Sequence, residues 1–312
     1  MDTIEHYIYK NIKRFVNKVQ NHKTLVYDHI DDYNIASNTI IQYINAAQPL
    51  MVARLGAFES NVISNYIGIK KGKNITNYIT GKQDQWWWNK ELLQYFSTNA
   101  GFFPLEEKLV EQYCELSLND MKEVDILATW QPKEIFFTDY LKPKVRISLP
   151  SLEPFWSNTP WTKSLEEKKV VIVHPFAETI QKQYQIRSQL FENKNVLPNF
   201  KLRIVKAVQS IGGQCTQFQN WFDALHYMQD EISKEDYDIC LIGCGAYGFS
   251  LAAYVKRCGK QAIHMGGALQ LLFGIKGKRW DDKGQSQFYN EYWCQPIEKT
   301  SNYKNIENGC YW

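Results

Sequence analysis

Four short stretches carry the side chains able to do chemistry. GCGAYGFSLAAYV opens at Gly243 directly after the apolar run YDICLI and sets Gly243, Gly245 and Gly248 at the spacing G-x-G-x-x-G. A strand, a glycine turn and a helix in that order let backbone N–H groups and a helix N-terminus approach an anion, because no Cβ blocks the way. That is phosphate chemistry, and it leaves the identity of the phosphate open. A dinucleotide needs a carboxylate about 20 residues further on to hold the ribose hydroxyls. The next strand, QAIHMGG, ends at His264 and Met265 with no acid, which weakens a nicotinamide or S-adenosylmethionine site and leaves another phosphate ligand, or glycines serving only helix–sheet packing. In MVARLGAFESNVISNYI a strand ends at Arg54, turns at Gly56 and enters a helix near Glu59. A guanidinium and a carboxylate thereby stand at the carboxyl edge of a sheet, where ligands of open α/β folds bind; the alternative is a pair that only caps the helix. HPFAETIQKQYQIR places His174 after an apolar strand as a candidate general base, or as a structural histidine. FGIKGKRWDD gathers Lys276, Lys278 and Arg279 around Gly277, a loop able to close over phosphates or a solvated basic turn. His264 is a further candidate for contact with a nucleotide or acceptor.

The elements that must position these groups are legible as seven β-rich runs at 50–56, 124–130, 144–149, 169–176, 201–207, 238–244 and 261–266, separated by helical patterns. Continuous apolar strands alternating with helices predict an α/β fold with a mostly parallel sheet covered on both faces. The aromatic insert at about 64–119, containing QWWWNKELLQYF, is expected to be helical and to act as a subdomain or lid. Trp86, Trp87, Trp88, Trp130, Trp156 and Trp161 offer faces for a sugar ring, or simply core. Residues 286–312 read as a polar C-terminal tail and 25–285 as one α/β unit. Residues 1–24 hold an amphipathic helix, with Ile4, Ile8, Ile12, Phe15, Val16 and Val19 at helical spacing and lysines between them. Such a helix suits packing on its own domain, and it suits a membrane surface.

A chain of 312 residues with 44% hydrophobic and 22% charged residues is globular in composition. Its net charge of +3 excludes a domain-wide field for gripping nucleic acid. The seven cysteines form no C-x-x-C pair and read as reduced thiols of a cytoplasmic protein. The longest apolar passage, Tyr237 to Val255, contains Asp238 and three glycines and divides into strand plus helix rather than spanning a membrane.

The R-x-G-x-x-E turn at Arg54, Gly56 and Glu59, together with YDICLIGCGAYGFSLAAYVKRCGKQAIHMGG, resembles the GT-D fold glycosyltransferases of bacteria, which share an early R-[YF]-G-D-G-E segment and a late strand, glycine turn, helix and strand. The order of elements matches over roughly residues 45–270, and residue-level likeness is confined to these two segments. The resemblance implies a Rossmann-like domain that moves a sugar from a nucleotide-diphosphate donor to a glycan or lipid-linked acceptor in surface polysaccharide assembly, and the helix in residues 1–24 adds the expectation of a peripheral contact with the inner membrane face, where lipid-linked acceptors reside. It also implies a divalent metal, Mg²⁺ or Mn²⁺, at the early acidic motif. Here the family's Asp is Ala57 and its second Gly is Phe58. The metal could then be held only through Glu59, and cationic side chains that neutralise the diphosphate would serve equally. On this reading Glu59, His174 and Arg54 carry catalysis, while Gly56, Gly243, Gly245, Gly248, His264, Lys276, Lys278 and Arg279 hold the donor. Two other readings stay open: a non-catalytic binding or scaffold protein with the same fold, and an NAD(P)- or S-adenosylmethionine-dependent enzyme.

Overall fold

Each of the seven apolar runs forms a strand in the computed structural model, which describes residues 4–20, 27–210, 217–299 and 309–312. Residues 1–3 and 21–24 of the N-terminal segment, Cys215, and residues 300–308 of the tail lie outside the described residues. The strands are β1 (Leu50–Ala53), β2 (Ile126–Thr129), β3 (Val145–Ser148), β4 (Lys169–His174), β5 (Lys201–Lys206), β6 (Ile239–Ile242) and β7 (Gln261–His264). They form one sheet in the order β3-β2-β1-β7-β6-β4-β5, with every pairing parallel. β1, β2, β6 and β7 are buried throughout, which is why β1 and β6 are unbroken apolar runs and why β2 and β7 carry polar residues only at their ends, Thr129, Gln261 and His264. At the edge, β5 alternates exposed Lys201, Arg203 and Lys206 with half-buried and buried residues, and charge on an outer strand discourages pairing with another chain.

The helices are α1 (Ile4–Gln20), α2 (Tyr33–Asn45), α3 (Ala57–Lys71), α4 (Ile75–Ile79), α5 (Lys90–Ala100), α6 (Glu107–Asp120), α7 (Ala177–Gln185), α8 (Arg187–Leu190), α9 (Trp221–Ser233), α10 (Tyr247–Arg257), α11 (Leu269–Leu272) and α12 (Lys278–Asp281). Two cores lie on the two faces of the sheet. Met51, Ala53, Val171, Val173, Cys240 and Ile242 face α3, α5, α6, α9 and α10. Their neighbours Leu50, Val52, Val170, Ile172, Ile239 and Leu241 face α2, α7 and α11. The period-two alternation of strand side chains is therefore spent on two apolar layers, giving the Rossmann-like α/β architecture.

The aromatic stretch at 64–119 is helical but does not stand apart. Its Leu93, Phe96, Val110, Tyr113 and Leu118 belong to the same core as the sheet. Trp86 and Trp87 meet at 4.8 Å with planes 79° apart and pack on Tyr78, while Trp88 stacks on Tyr66.

Candidate functional site

Along the middle of the sheet the chain leaves successive strands toward opposite faces. β1 leads into α3 and β6 into α10 on one side, whereas β7 leads into α11 and β4 into α7 on the other. Connections that diverge in this way open a crevice at the carboxyl ends of the strands, the usual ligand position in open parallel sheets. A cavity of about 300 Å³ occupies that position, the low end of the range for small-molecule sites. Its walls come from the loops after β1, β4, β5, β6 and β7, from the end of α5, and from the final residues Tyr311 and Trp312.

The segment after β1 brings Arg54 and Glu59 to this cavity. Arg54 lies with its guanidinium 4.8 Å from the Trp130 ring centroid, and the indole N–H of Trp130 is fixed by the Leu55 carbonyl at 2.8 Å. Gly56 is the N-cap of α3, and Glu59 sits in the first turn, where the helix dipole favours an anion. The Glu59 carboxylate folds back over Gly56, so that a β-carbon at position 56 would collide with it. Burial of Tyr113, joined by the nearby charge of Glu59, holds that phenol well above its ordinary pKa.

The glycine turn divides its labour. Gly243 is pinned between two loops, since a β-carbon there would stand 2.6 Å from the Gly266 carbonyl and 3.0 Å from the His174 ring. Gly245 has φ +58°, a left-handed backbone that side chains disfavour. Gly248 lies directly on the imidazole of His264, which leaves no room for a side chain. The third glycine therefore seats α10 against the end of β7, and it does not line the cavity. The amides of Gly243, Ala246 and Gly248 are taken up by the carbonyls of Val173, Ala100 and Gly245. The expectation that amides throughout 243–248 face a diphosphate is thus corrected: the parts of the turn that line the cavity are Gly243, Cys244, Gly245 and Tyr247.

His174 and His264 stand at the carboxyl ends of β4 and β7, with β6 between them, and both line the cavity. Burial drives the pKa of His174 down to about 3. Burial, with the charge of Arg54 added, brings His264 to about 3 as well, against a backbone hydrogen bond that pulls the other way. Both rings are neutral at neutral pH. The Nδ1 of His174 accepts the Phe176 N–H at 3.0 Å, which fixes the proton on Nε2. His174 is therefore placed as a hydrogen-bond donor, and its assignment as a general base is corrected on that ground.

Only part of the basic loop reaches the site. Arg279 lines the cavity, donates to the Tyr311 hydroxyl at 2.8 Å and lies 4.8 Å from the Tyr311 ring centroid. Lys276 is directed to the Tyr289 ring, 5.5 Å away, and Lys278 is exposed at the start of α12; neither lines the cavity. These two lysines are removed from the expected donor set, because the turn at Gly277 points successive side chains in different directions. Of the six tryptophans considered for sugar contact only Trp130 lines the cavity, while Trp161 is fully buried and Trp86–Trp88 lie elsewhere.

Two wall segments were not anticipated from the sequence. Residues 309–312 end a stretch that reads as polar tail, yet Trp312 meets Phe176 edge-on at 5.4 Å, Gln270 donates to the Tyr311 carbonyl, and the Arg279 N–H donates to that of Cys310. The aromatic pair at the end of a polar segment was the available clue. Ser210 was equally silent: its hydroxyl ties the Gly101 carbonyl to the Tyr247 hydroxyl, linking the end of α5 to the glycine turn.

Among the described lining residues the charged side chains are Arg54, Arg279 and Glu59, a surplus of one positive charge with both histidines neutral. Side chains alone do not complete the shell of a resident divalent ion here, and an ion arriving with substrate phosphates and water would have Glu59 as its carboxylate. Glu59 supplies the one side-chain carboxylate of the lining, and no group of three His, Cys, Asp or Glu side chains arranged for a metal occurs among the described residues. The cavity can hold an anion between guanidinium groups, beside aromatic surface and a single carboxylate.

No protein-family model matches the chain, and no curated protein matches it. One solved structure, described as a selenomethionine-substituted domain of unknown function 1792 (DUF1792), is similar at 13% identity over 96% of this chain and 97% of that one, with a TM-score of 0.40. The fold assignment rests on the sheet itself.

Proposed function

We propose that the chain is a glycosyltransferase that binds a nucleotide-diphosphate sugar in the cavity at the carboxyl edge of the sheet. The observation that carries the reading is the convergence of Arg54 and Arg279, far apart in sequence, on one cavity that also exposes the backbone of Gly243–Gly245. Guanidinium groups match phosphate oxygens bidentately and keep their charge at any working pH. In this arrangement an acceptor hydroxyl attacks the anomeric carbon, the bond from that carbon to the diphosphate oxygen breaks, and the nucleoside diphosphate leaves with the electron pair. Arg54 and Arg279 stabilise the charge that grows on the leaving group, the term expected to dominate in such a site. Glu59 takes the acceptor proton, since burial disfavours the protonated form of His174 and His264 and makes both weak bases, and the Nε2 of His174 already bears hydrogen. Trp130, Tyr311 and Trp312 supply apolar faces for the base or the sugar. The finer identity of the acceptor, a glycan or lipid-linked carrier of surface polysaccharide, rests on the resemblance of the Arg54–Gly56–Glu59 turn.

The test is a panel of UDP-, GDP-, CMP- and dTDP-sugars scored by melting temperature and by donor hydrolysis. One nucleotide class should stabilise the protein, and Arg54→Ala with Arg279→Ala should abolish the shift while leaving the fold intact. A folded protein silent to the whole panel would sink the proposal, and stabilisation by NAD(P)H or S-adenosylmethionine alone would replace it.

A further inference from the structure

An amphipathic helix of a globular domain ordinarily turns its apolar stripe inward. α1 does the reverse. The stripe it lays on the body is His6, Tyr9, Lys10, Lys13 and Val16, every one part-buried. His6 stacks on Trp87 at 3.9 Å and 7°, Tyr9 packs on Trp86 at 5.5 Å, and Lys13 holds its ammonium 4.2 Å from the Tyr78 ring centroid. Glu5 is clipped at the side by Lys73 at 2.6 Å. Facing away from the body are Ile4 at 82% exposed, Phe15 at 70%, Tyr7 at 65%, Ile8 at 49% and Ile12 at 40%. The aromatic docking of the helix thus spends its polar face and leaves a continuous apolar ridge outside.

We infer that this ridge is a membrane-surface contact, fitted to a bilayer containing anionic lipid. Charge selects the partner. α1 carries Lys10, Lys13, Arg14 and Lys18 against Glu5 alone, a surplus equal to the net charge of +3 on the entire chain. The one acid is already paired with Lys73. Isoleucine and phenylalanine beside the exposed Arg14 suit an interfacial helix whose apolar face enters the headgroup boundary with Arg14 at the lipid phosphates, while Lys10 and Lys13, half-buried on the docked side, add to the attractive field across the width of one helix. A second copy of the chain pairing through the same face would bring two helices of the same positive charge together, with Arg14 of each beside the seam. The inference is independent of the proposed activity, because α1 lines no part of the sheet-edge cavity.

The experiment is flotation of the full chain with vesicles of phosphatidylcholine plus phosphatidylglycerol, against phosphatidylcholine alone, at low and high salt. The comparison variant is Ile8→Glu with Phe15→Glu, both at exposed positions, with an unchanged melting temperature as the control for folding. The natural chain should float with the anionic vesicles, less at high salt, and the double variant should partition at least about tenfold less. No flotation of the natural chain, equal recovery of the variant, or a dimer in light scattering that the variant dissolves would each overturn the inference.

Discussion

At position 59 a single carboxylate is held against the start of a helix by the absence of a side chain three residues earlier. Because the Glu59 carboxylate folds over Gly56, Gly56→Ala displaces a flexible side chain rather than backbone. The fold should therefore survive with a melting temperature within a few degrees, while turnover falls as far as in Glu59→Gln, at least about 100-fold if the carboxylate acts as base. Turnover by Gly56→Ala near the natural rate would show that the position of Glu59 does not matter. Arg54 and Arg279 predict a different signature. Each should contribute to binding of a nucleoside diphosphate with about 1.5–3 kcal/mol, typical of a hydrogen bond to a charged group, so single alanine variants should weaken affinity roughly 10- to 100-fold in titration calorimetry. Arg279→Ala should cost more than phosphate contact alone, because the guanidinium also braces Tyr311. Tyr311→Phe, which removes the hydroxyl but keeps the ring, separates the two effects.

At the scale of the element, the turn after β6 predicts that packing and ligand contact can be broken separately. Gly248→Ala drives a methyl group into the buried His264 ring, and overpacking of this kind costs roughly 1–3 kcal/mol, readable as a lowered urea midpoint. Gly245→Ala acts through its φ of +58° instead and should cost about 1 kcal/mol with little change in packing. Equal stability of Gly248→Ala and the natural protein would remove the close seating of α10. The sequence was most informative at this same scale. The central strands were legible because parallel strands inside a sheet must be apolar on both sides, the edge strands β3 and β5 by apolar, mostly β-branched residues alternating with charged or polar ones, and the crevice followed from glycine turns after β1 and β6. Lys276 and Lys278 were misplaced because spacing in a loop does not fix direction: around Gly277 only Arg279 turns inward. The contribution of Tyr311 and Trp312 was missed, since the aromatic pair stood out in a polar segment but local pattern does not show its contacts with Phe176, Gln270 and Arg279 further back in the chain. The expected general base at His174 failed for a related reason. Its type was readable, but its tautomer is set by the Phe176 N–H, which only the folded turn supplies.

For the whole molecule, the two histidines that wall the cavity make stability a function of pH. His174 and His264 have folded pKa values of about 3, against about 6.5 in an unfolded chain. Between those values the unfolded chain binds more protons, so stability rises with pH through this window and is lost as pH falls below the unfolded value. At pH 5 each histidine withdraws roughly 2 kcal/mol relative to pH 7.5. Asp120 opposes this: burial raises its carboxyl to about 6 despite the Arg257 guanidinium 2.7 Å away, so it binds a proton more readily in the fold and favours folding as pH falls. Its share over the same interval is about 1 kcal/mol, and Glu153, also raised by burial, acts in the same direction. Asp84 and Asp125 are held below the ordinary carboxylate range and respond only in stronger acid. The histidines outweigh the acids, and the urea midpoint should fall on going from pH 7.5 to pH 5. In His174→Asn with His264→Asn, which keeps an amide at the polar positions without a titrating ring, the same shift should shrink or change sign, even though the variant is less stable at every pH. An undiminished fall in the double variant would place the acid sensitivity elsewhere and show that the two rings are not held neutral at the cavity wall.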